Sequence, residues 1–584
     1  MSTSVRRGAR SVGALAPALP ALIFLLAFFL MPLGFMVWMS LSDPEFGFDN
    51  YVKAFQSQAT RNGFVNSLVI CAQATVITAV LGSLVVVALI RWRGIARTLV
   101  LLSLLLPFVT SGELVRIVAW MIALSPDGFL STALRGLGLV SPGEMLLPGR
   151  PAVLIGLVHI LLPFFVLTCF TALKMLDSRL PQAAGSLGAP PVQAFLTTTV
   201  PLSAGPILGA SLLVFMIALG YYATPAALGG TDVVLPTLIT NQIQQLGDWG
   251  SAAALGTLLL VVTIVLFAIM LRFGGLSVLF SAVGSGASSA GGRFSRAWTA
   301  AATSSGMRSF ASACAAIPFG GALLKTVHVL LVIGICVYLA LPLIVAVPAS
   351  FGEKSILTFP PSGFSLKWYE QFGANQAWVE ALQTSLLVGL GTTVLSVLLA
   401  AGGAFVLTRS STRGKAAVFL LLMMPLIMPW TVTAIGLYFE ADLLGIAYQP
   451  LGLVIGHTVG GIPFALIVLT SAFASFDWRL DRAAVSLGAS RLHRFLDIAL
   501  PFLRPAFFGA MLFAFIWSFT EVVFAFLMND AGTRTLPVAM WLELSYNISP
   551  IVAAAGGILT GSMLVLAAVY GLSQWFAKRR TPSG

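Results

Sequence analysis

Long apolar stretches recur along this chain of 584 residues, and they constrain its fold more than any other feature. Each is about 20 residues long, the length that an α-helix needs to cross a hydrocarbon core about 30 Å thick. Charged residues make up only 9% of the chain, whereas a typical soluble domain carries about 25%. So few charges cannot solvate a globular protein of this size, and the chain is predicted to be an all-α polytopic membrane protein.

Twelve spans are predicted, in two groups of six separated by a segment of different composition. They cover residues 17–40, 65–90, 98–124, 151–173, 203–227, 250–271, 326–350, 384–408, 416–439, 451–473, 505–528 and 551–577. The segment between the groups is rich in Gly, Ser and Ala, which is typical of a flexible linker. We therefore predict a first half over 1–272, a cytoplasmic linker over 273–325 and a second half over 326–584.

The formal charge of +12 is unevenly distributed between the two sides of the predicted membrane. With the N-terminus inside, roughly 24 Lys and Arg residues lie on the cytoplasmic side and roughly 7 outside, while acids number roughly 4 inside and 14 outside. Basic loops remain on the cytoplasmic side of membranes. Both termini are therefore predicted to be cytoplasmic, and the basic charge indicates topology in a lipid bilayer, with no nucleic-acid partner.

One ten-residue phrase occurs in both halves, 300 residues apart. Leu180-Pro-Gln-Ala-Ala-Gly-Ser-Leu-Gly-Ala189 returns as Leu480-Asp-Arg-Ala-Ala-Val-Ser-Leu-Gly-Ala489. Both copies lie in polar loops, 177–201 and 477–501, which we name the first and second coupling loops. Six spans per half make the two repeats parallel, with a translocation path between them. Since an unusually apolar chain keeps two polar loops alike, these loops are predicted to bind a partner on one face of the membrane.

The spacing within the second copy predicts a short helix–turn–helix. Leu480, Ala484 and Leu487 lie at i, i+4 and i+7, which is one face of a helix. Gly488 can end that helix, and Ser490 can cap a second one.

These loops resemble the "EAA" loops of ATP-binding-cassette importer permeases. The matching positions are Ala183, Ala184, Gly188 and Pro201 in the first loop, and Ala483, Ala484, Gly488 and Pro501 in the second. The resemblance implies that each loop forms a coupling helix seated in a groove of a cytoplasmic ATPase, with two ATPase copies per permease. Gln182 and Arg482 stand where the family has its first acid, so that carboxylate contributes no docking contact here.

The chain lacks the sequence features of an enzyme. It has no phosphate-binding loop, so ATP and Mg²⁺ are expected only in a partner ATPase, and the chain is expected to bind no cofactor itself. No outer loop is long enough to capture a solute, so an external solute-binding protein is expected. The four cysteines show no metal-ligand spacing, no metal site is expected, and His159 and His457 are interpreted as structural.

Ionisable residues at membrane depth are costly and usually mark a transport path. Glu113 and Arg116 lie one helical turn apart, and either line the path or only neutralise each other. Glu521, with no basic residue in its own span and with aromatic neighbours, suits a cationic amine. The candidate path residues are Glu113, Tyr221, Tyr222, Trp517 and Glu521. Trp430 and Tyr438 are interpreted as membrane anchors, with an outer rim of the path as the alternative.

Three further phrases resemble those of spermidine/putrescine-type permeases. They are Thr224-Pro-Ala-Ala-Leu-Gly-Gly230, Phe359-Pro-Pro-Ser-Gly-Phe-Ser-Leu-Lys-Trp-Tyr369 and Ser518-Phe-Thr-Glu-Val-Val523, with Thr520 in place of a family acid. The resemblance implies the inner-membrane permease of an ATP-driven, binding-protein-dependent importer, with both permeases joined in one chain. It implies a polyamine-like solute; ferric iron, aminoethylphosphonate or opines, and thiamine remain alternatives. A stand-alone secondary transporter with twelve spans is the alternative from another class, followed by a membrane scaffold or receptor.

Overall fold

A computed structural model describes most of the chain. The described residues are 15–109, 112–141, 143–174, 200–272, 320–410, 414–546 and 549–580, together with residues 183, 184, 186, 193, 197 and 304. Within them every regular element is a helix, and one isolated bridge joins Gly352 to Phe364. The all-α prediction is confirmed.

The two halves contain matching series of helices. In the first half these are α1 (Ala16–Ser42), α2 (Asp49–Gln56), α3 (Gln58–Arg91), α4 (Gly94–Val109), α5 (Gly112–Leu124), α6 (Phe129–Gly136), α7 (Arg150–Lys174), α8 (Val200–Leu219), α9 (Ala223–Leu228), α10 (Leu235–Leu246) and α11 (Trp249–Arg272). In the second half they are α12 (Gly320–Ser350), α13 (Lys367–Ala374), α14 (Gln376–Arg409), α15 (Lys415–Ile427), α16 (Trp430–Leu443), α17 (Pro450–Ser475), α18 (Arg479–Ser486), α19 (Leu500–Thr520), α20 (Val523–Leu527), α21 (Leu536–Tyr546) and α22 (Pro550–Arg580).

Two of the predicted spans are broken near their middle. Ten helices in the described part of the chain are each long and apolar enough to cross a membrane, and the total reaches twelve if each of two bent pairs is one span. The pairs are α4 with α5, bent by 102°, and α15 with α16, bent by 98°. The predicted spans over 98–124 and 416–439 therefore each consist of two helices joined at a bend. In the second pair, Pro429 disfavours a helical conformation for Met428, whose ψ is 142°.

The fifth and eleventh spans end earlier than the sequence predicted. Helices α8 and α19 stop at Leu219 and Thr520, and the short helices α9 and α20 follow after a break. Glu521 lies in that second break with an extended backbone, φ −71° and ψ 134°.

The linker lies almost entirely outside the described residues. Its last residues, 320–325, belong to α12.

The first helix of each half packs against the other half. An added Cβ at Gly436 in α16 would lie 2.7 Å from the carbonyl oxygen of Pro32 in α1. In the reverse direction, His159 Nε2 in α7 lies 3.2 Å from the Leu339 carbonyl oxygen in α12. The two halves therefore share one core, which includes the fully buried Trp120.

Equivalent hydrogen bonds occur in both halves and support their relation as repeats. Ser67 Oγ accepts from Leu235 N at 2.8 Å, where α10 begins. Ser385 Oγ accepts from Leu536 N at 2.7 Å, where α21 begins. In both cases a serine on the second span caps the helix that precedes the sixth.

Candidate functional site

A cavity of about 190 Å³ lies between the two halves. Its lining includes 11 residues of the first half and 13 of the second, so it lies on the interface itself. The sequence placed the five candidate path residues on three different spans, and all five line this cavity: Glu113, Tyr221, Tyr222, Trp517 and Glu521.

The broken spans meet across this cavity. An added Cβ at Gly112, where α5 begins, would lie 3.2 Å from Thr520 Cβ, where α19 ends. An added Cβ at Gly220 would lie 2.8 Å from Pro429 Cα, between α15 and α16. Thr431 Oγ1 also donates to the Gly220 carbonyl oxygen at 3.0 Å. Each junction therefore joins a break in one half to a break in the other.

Glu521 is surrounded by hydrogen-bond donors. Its Oε1 accepts from Trp430 Nε1 at 2.7 Å and from Phe524 N at 2.8 Å. Its Oε2 accepts from Ala525 N at 3.0 Å and lies 3.1 Å from His457 Nε2. The side chain is 1% exposed. Glu521 was predicted to have no basic partner in its own span, and none is found there. His457 of α17 lies beside it instead.

His457 connects Glu521 to a neighbouring helix. The side chain is fully buried, and its Nδ1 lies 2.8 Å from Ser518 Oγ, which in turn donates to Thr392 Oγ1 at 3.3 Å. His159 joins the halves through the Leu339 carbonyl described above. Both contacts agree with a structural role, and His457 additionally supports a cavity carboxylate.

Glu113 and Arg116 bond to different partners. Glu113 Oε1 accepts from Thr224 N at 2.8 Å and from Thr224 Oγ1 at 2.7 Å, at the start of α9. Arg116 Nη1 donates to the Pro107 carbonyl oxygen at 3.1 Å, and the residue is 7% exposed. The ion pairs between described residues do not include Glu113 with Arg116. Glu113 and Arg116 therefore form no direct ion pair, and each side chain makes a hydrogen bond to another part of the first half.

Aromatic rings line the second half's side of the cavity. Trp517 Nε1 donates to the His457 carbonyl oxygen at 3.1 Å, and the indole stacks on Phe464 at 5.3 Å. Trp430 lies edge-on to Trp517 at 5.1 Å. Trp430 thus belongs to the cavity, and its interpretation as a membrane anchor was wrong.

Tyr438 is also packed inside the protein. Its ring stacks on Trp249 of α11, with centroids 4.7 Å apart and planes within 4°. Its hydroxyl lies 2.6 Å from that of Tyr448. Tyr438 therefore joins the two halves instead of anchoring the chain in the lipid interface.

The second coupling loop has the predicted helix–turn–helix, in which α18 is followed by helical residues 491–499 that lead directly into α19. Helix α18 covers Arg479–Ser486, Gly488 has a left-handed φ of 82°, and Ser490 Oγ accepts from His493 N at 3.4 Å. Ala484 is buried, whereas Leu487 is 88% exposed and Leu480 is also exposed. The predicted apolar face is thus largely uncovered.

One ion pair holds this loop together, and the ring of Trp478 joins it to the membrane helices. Arg494 Nη1 lies 2.9 Å from both carboxylate oxygens of Asp481. The Arg409 guanidinium, at the end of α14, lies over the Trp478 ring at 4.7 Å. Trp478 also packs edge-on to Phe476 at 4.8 Å. The loop is therefore connected to α14, α17 and the start of the eleventh span.

Most of the first coupling loop, including Gly188, lies outside the described residues. Ala183 and Ala184 are helical, and Pro201 lies in the first turn of α8. Across the described residues, no group of three or more His, Cys, Asp or Glu side chains is arranged to hold a metal ion.

Comparison with known proteins identifies the family. Residues 368–580 match the family described as binding-protein-dependent transport system inner membrane component. The spermidine/putrescine transport system permease protein PotB of Haemophilus influenzae is 34% identical over 203 residues, which cover 34% of this chain and 71% of that protein. The chain belongs to this family. The spermidine/putrescine transport system permease protein PotC of Escherichia coli is 30% identical over 244 residues, which cover 42% of this chain and 91% of PotC.

A structural similarity was also found, to a crystal structure of a bacterial ABC transporter involved in the import of the acidic polysaccharide alginate. It has a TM-score of 0.35 and 16% identity, and covers 44% of this chain and 98% of that one. From the family, this chain is an inner-membrane permease of a binding-protein-dependent importer. The alternative of a stand-alone secondary transporter was therefore wrong.

Proposed function

We propose that this permease imports a small solute with cationic amine groups, of the spermidine/putrescine class, through the cavity between its halves. The observation that carries this proposal is the presence of two carboxylates, Glu113 and Glu521, and two indoles, Trp430 and Trp517, in the lining of one cavity. Carboxylates attract ammonium groups by charge, and aromatic faces attract them through their quadrupoles. The named transport systems of the relatives agree with this solute class.

A second candidate solute carries an acidic group as well as an amine, as opines and aminoethylphosphonate do. Arg116 favours it, because this buried guanidinium lines the cavity and donates to a single described acceptor, the Pro107 carbonyl. A guanidinium has five N–H donors in a fixed planar arrangement, which leaves donors for a carboxylate or phosphonate. No observation among the described residues favours ferric iron or thiamine.

Uptake of radiolabelled putrescine, with unlabelled competitors, separates these solutes. The polyamine proposal predicts ATP-dependent putrescine uptake that spermidine inhibits and aminoethylphosphonate does not. ATP-dependent uptake of radiolabelled aminoethylphosphonate, with no putrescine uptake, would favour the second candidate.

The proposal includes two copies of a cytoplasmic ATPase, one on each coupling loop. The exposed apolar face of α18 supports it, since an uncovered Leu480 and Leu487 beside Arg479 and Arg482 form a surface suited to a protein groove. ATP and Mg²⁺ would bind to that partner alone. Ala183, Ala184, Gly188 and Pro201 would serve the first loop, as Ala483, Ala484, Gly488 and Pro501 serve the second.

The proposal also places both termini in the cytoplasm and an external solute-binding protein on the opposite face. Mild cross-linking in native membranes, affinity purification and mass spectrometry test these partners together. We expect one ATPase and one binding protein to be recovered. Recovery of the binding protein cross-linked to α18 would reverse the proposed orientation.

A further inference from the structure

The two cavity carboxylates differ in how their oxygen atoms are occupied. Building on the proposed amine solute, we infer that Glu113 contacts the cationic nitrogen directly. Glu521 is instead a positioning residue, which holds Trp430 and the break in the eleventh span in place.

Three hydrogen bonds and a nearby histidine already surround the two carboxylate oxygens of Glu521. A carboxylate offers about four lone-pair positions. Trp430 and Phe524 occupy Oε1, while Ala525 and His457 lie against Oε2. With the side chain 1% exposed, an ammonium group could reach it only by displacing one of these partners. Glu521 therefore acts on the solute through Trp430, whose indole it orients.

Glu113 retains an unoccupied oxygen. Both of its hydrogen bonds go to Oε1, from Thr224 N and Thr224 Oγ1. Among the described residues, no hydrogen bond reaches Oε2, and Arg116 is not within ion-pair distance. The residue is partly exposed and lines the cavity. A carboxylate held firmly by one oxygen and open at the other is suited to accept an N–H from a bound ammonium group.

Arg116 limits where the rest of the solute lies. It carries a positive charge one helical turn from Glu113 and lines the same cavity. A second ammonium group is repelled from that side, whereas the indoles of Trp430 and Trp517 attract it. The solute is therefore expected to extend from Glu113 towards the second half.

Kinetics of putrescine uptake by the reconstituted importer test this division. We expect Glu113→Gln to raise KM for putrescine by about 10- to 100-fold, the range for loss of a hydrogen bond to a charged group, with an unchanged maximal rate. Glu521→Gln is expected to lower the maximal rate and the Tm, with less change in KM. An unchanged KM in Glu113→Gln, or a rise in KM confined to Glu521→Gln, would overturn the inference.

Thr520 offers a test by relocation of charge. It faces Gly112 across the interface, so an acid at position 520 lies next to Glu113. The double variant Glu113→Gln/Thr520→Asp is expected to recover at least part of the lost affinity, and Glu113→Gln/Thr520→Asn is its uncharged control. Equal KM in the Asp and Asn variants would contradict direct contact through charge.

Labelling of the purified permease with dicyclohexylcarbodiimide tests the same assignment without any solute. We expect mass spectrometry to find the adduct on Glu113 and not on Glu521, with the Glu113→Gln variant as the control. An adduct on Glu521, or none on Glu113, would overturn the inference. If the wild-type importer takes up no putrescine but Glu113 is labelled, the amine proposal fails while the assignment of the open carboxylate stands.

Discussion

At the scale of single residues, the cavity wall depends on close packing behind Glu521. Gly456 of α17 lies against the buried ring of Phe524, whose backbone N–H bonds to Glu521. A Cβ added at Gly456 would lie 2.0 Å from Phe524 Cε1. We expect Gly456→Ala to destabilise the protein by about 1–3 kcal/mol, the usual cost of overpacking, and to lower transport because Phe524 must move.

Thermal unfolding in detergent measures this effect. Gly334→Ala in α12 is the matched control, since an added Cβ there meets nothing within 4 Å and alanine favours a helix. An equal Tm for the two variants would show that the packing behind Glu521 is looser than described.

Residue types in the cavity could be predicted from the sequence, but their partners could not. Acids at membrane depth are rare enough to single out Glu113 and Glu521 directly, and Trp517 follows as an aromatic neighbour of Glu521. Trp430, however, lies 91 positions from Glu521 in the sequence. From the sequence alone, its indole is equally consistent with an interfacial anchor. The bend after α15 places it in the cavity.

At the scale of elements, the turn after α18 requires a left-handed backbone. Gly488 has φ of 82° with open space around it, and a residue with a Cβ costs roughly 1–2 kcal/mol in this conformation. We expect Gly488→Val to distort the second coupling loop and reduce ATP-driven uptake several-fold, while the membrane helices persist. The same change at Gly188 is expected to act in the same way on the first loop.

Asparagine tolerates this backbone conformation better than other residues with side chains, so Gly488→Asn is the control. Uptake and circular dichroism of both variants give the result. Loss of uptake in both variants, or in neither, would show that coupling does not depend on the left-handed conformation at Gly488.

The sequence predicted the short helix of the second coupling loop better than it predicted the bends within the membrane spans. Helix α18 and the glycine that follows it were predicted from local spacing, since both signals lie within ten consecutive residues. The bends of about 100° between α4 and α5, and between α15 and α16, leave hydropathy unchanged, so a continuous apolar stretch conceals them. Pro429 was the available signal for the second bend, because proline disfavours the helical conformation of the residue before it.

At the scale of the whole molecule, the first helix of each half packs against the other half and helps to hold the two together. Because α1 packs on α16 and α12 packs on the first half, the linker need not carry the association. We expect residues 1–287 and 288–584, expressed as two chains, to co-purify and to support uptake. Removal of residues 1–42 from the first chain should weaken their co-purification. Separation of the two intact chains in detergent would show that the linker is required.

The central claim is that the solute crosses the membrane through the cavity between the halves. The most direct measurement is ATP-dependent putrescine uptake by the reconstituted importer carrying Ile217→Trp, which fills the cavity from α8. The control is Leu208→Trp, on the exposed face of the same helix. We predict that Ile217→Trp abolishes uptake while its assembly and Tm match those of Leu208→Trp. Undiminished uptake by a correctly assembled Ile217→Trp importer would contradict the account.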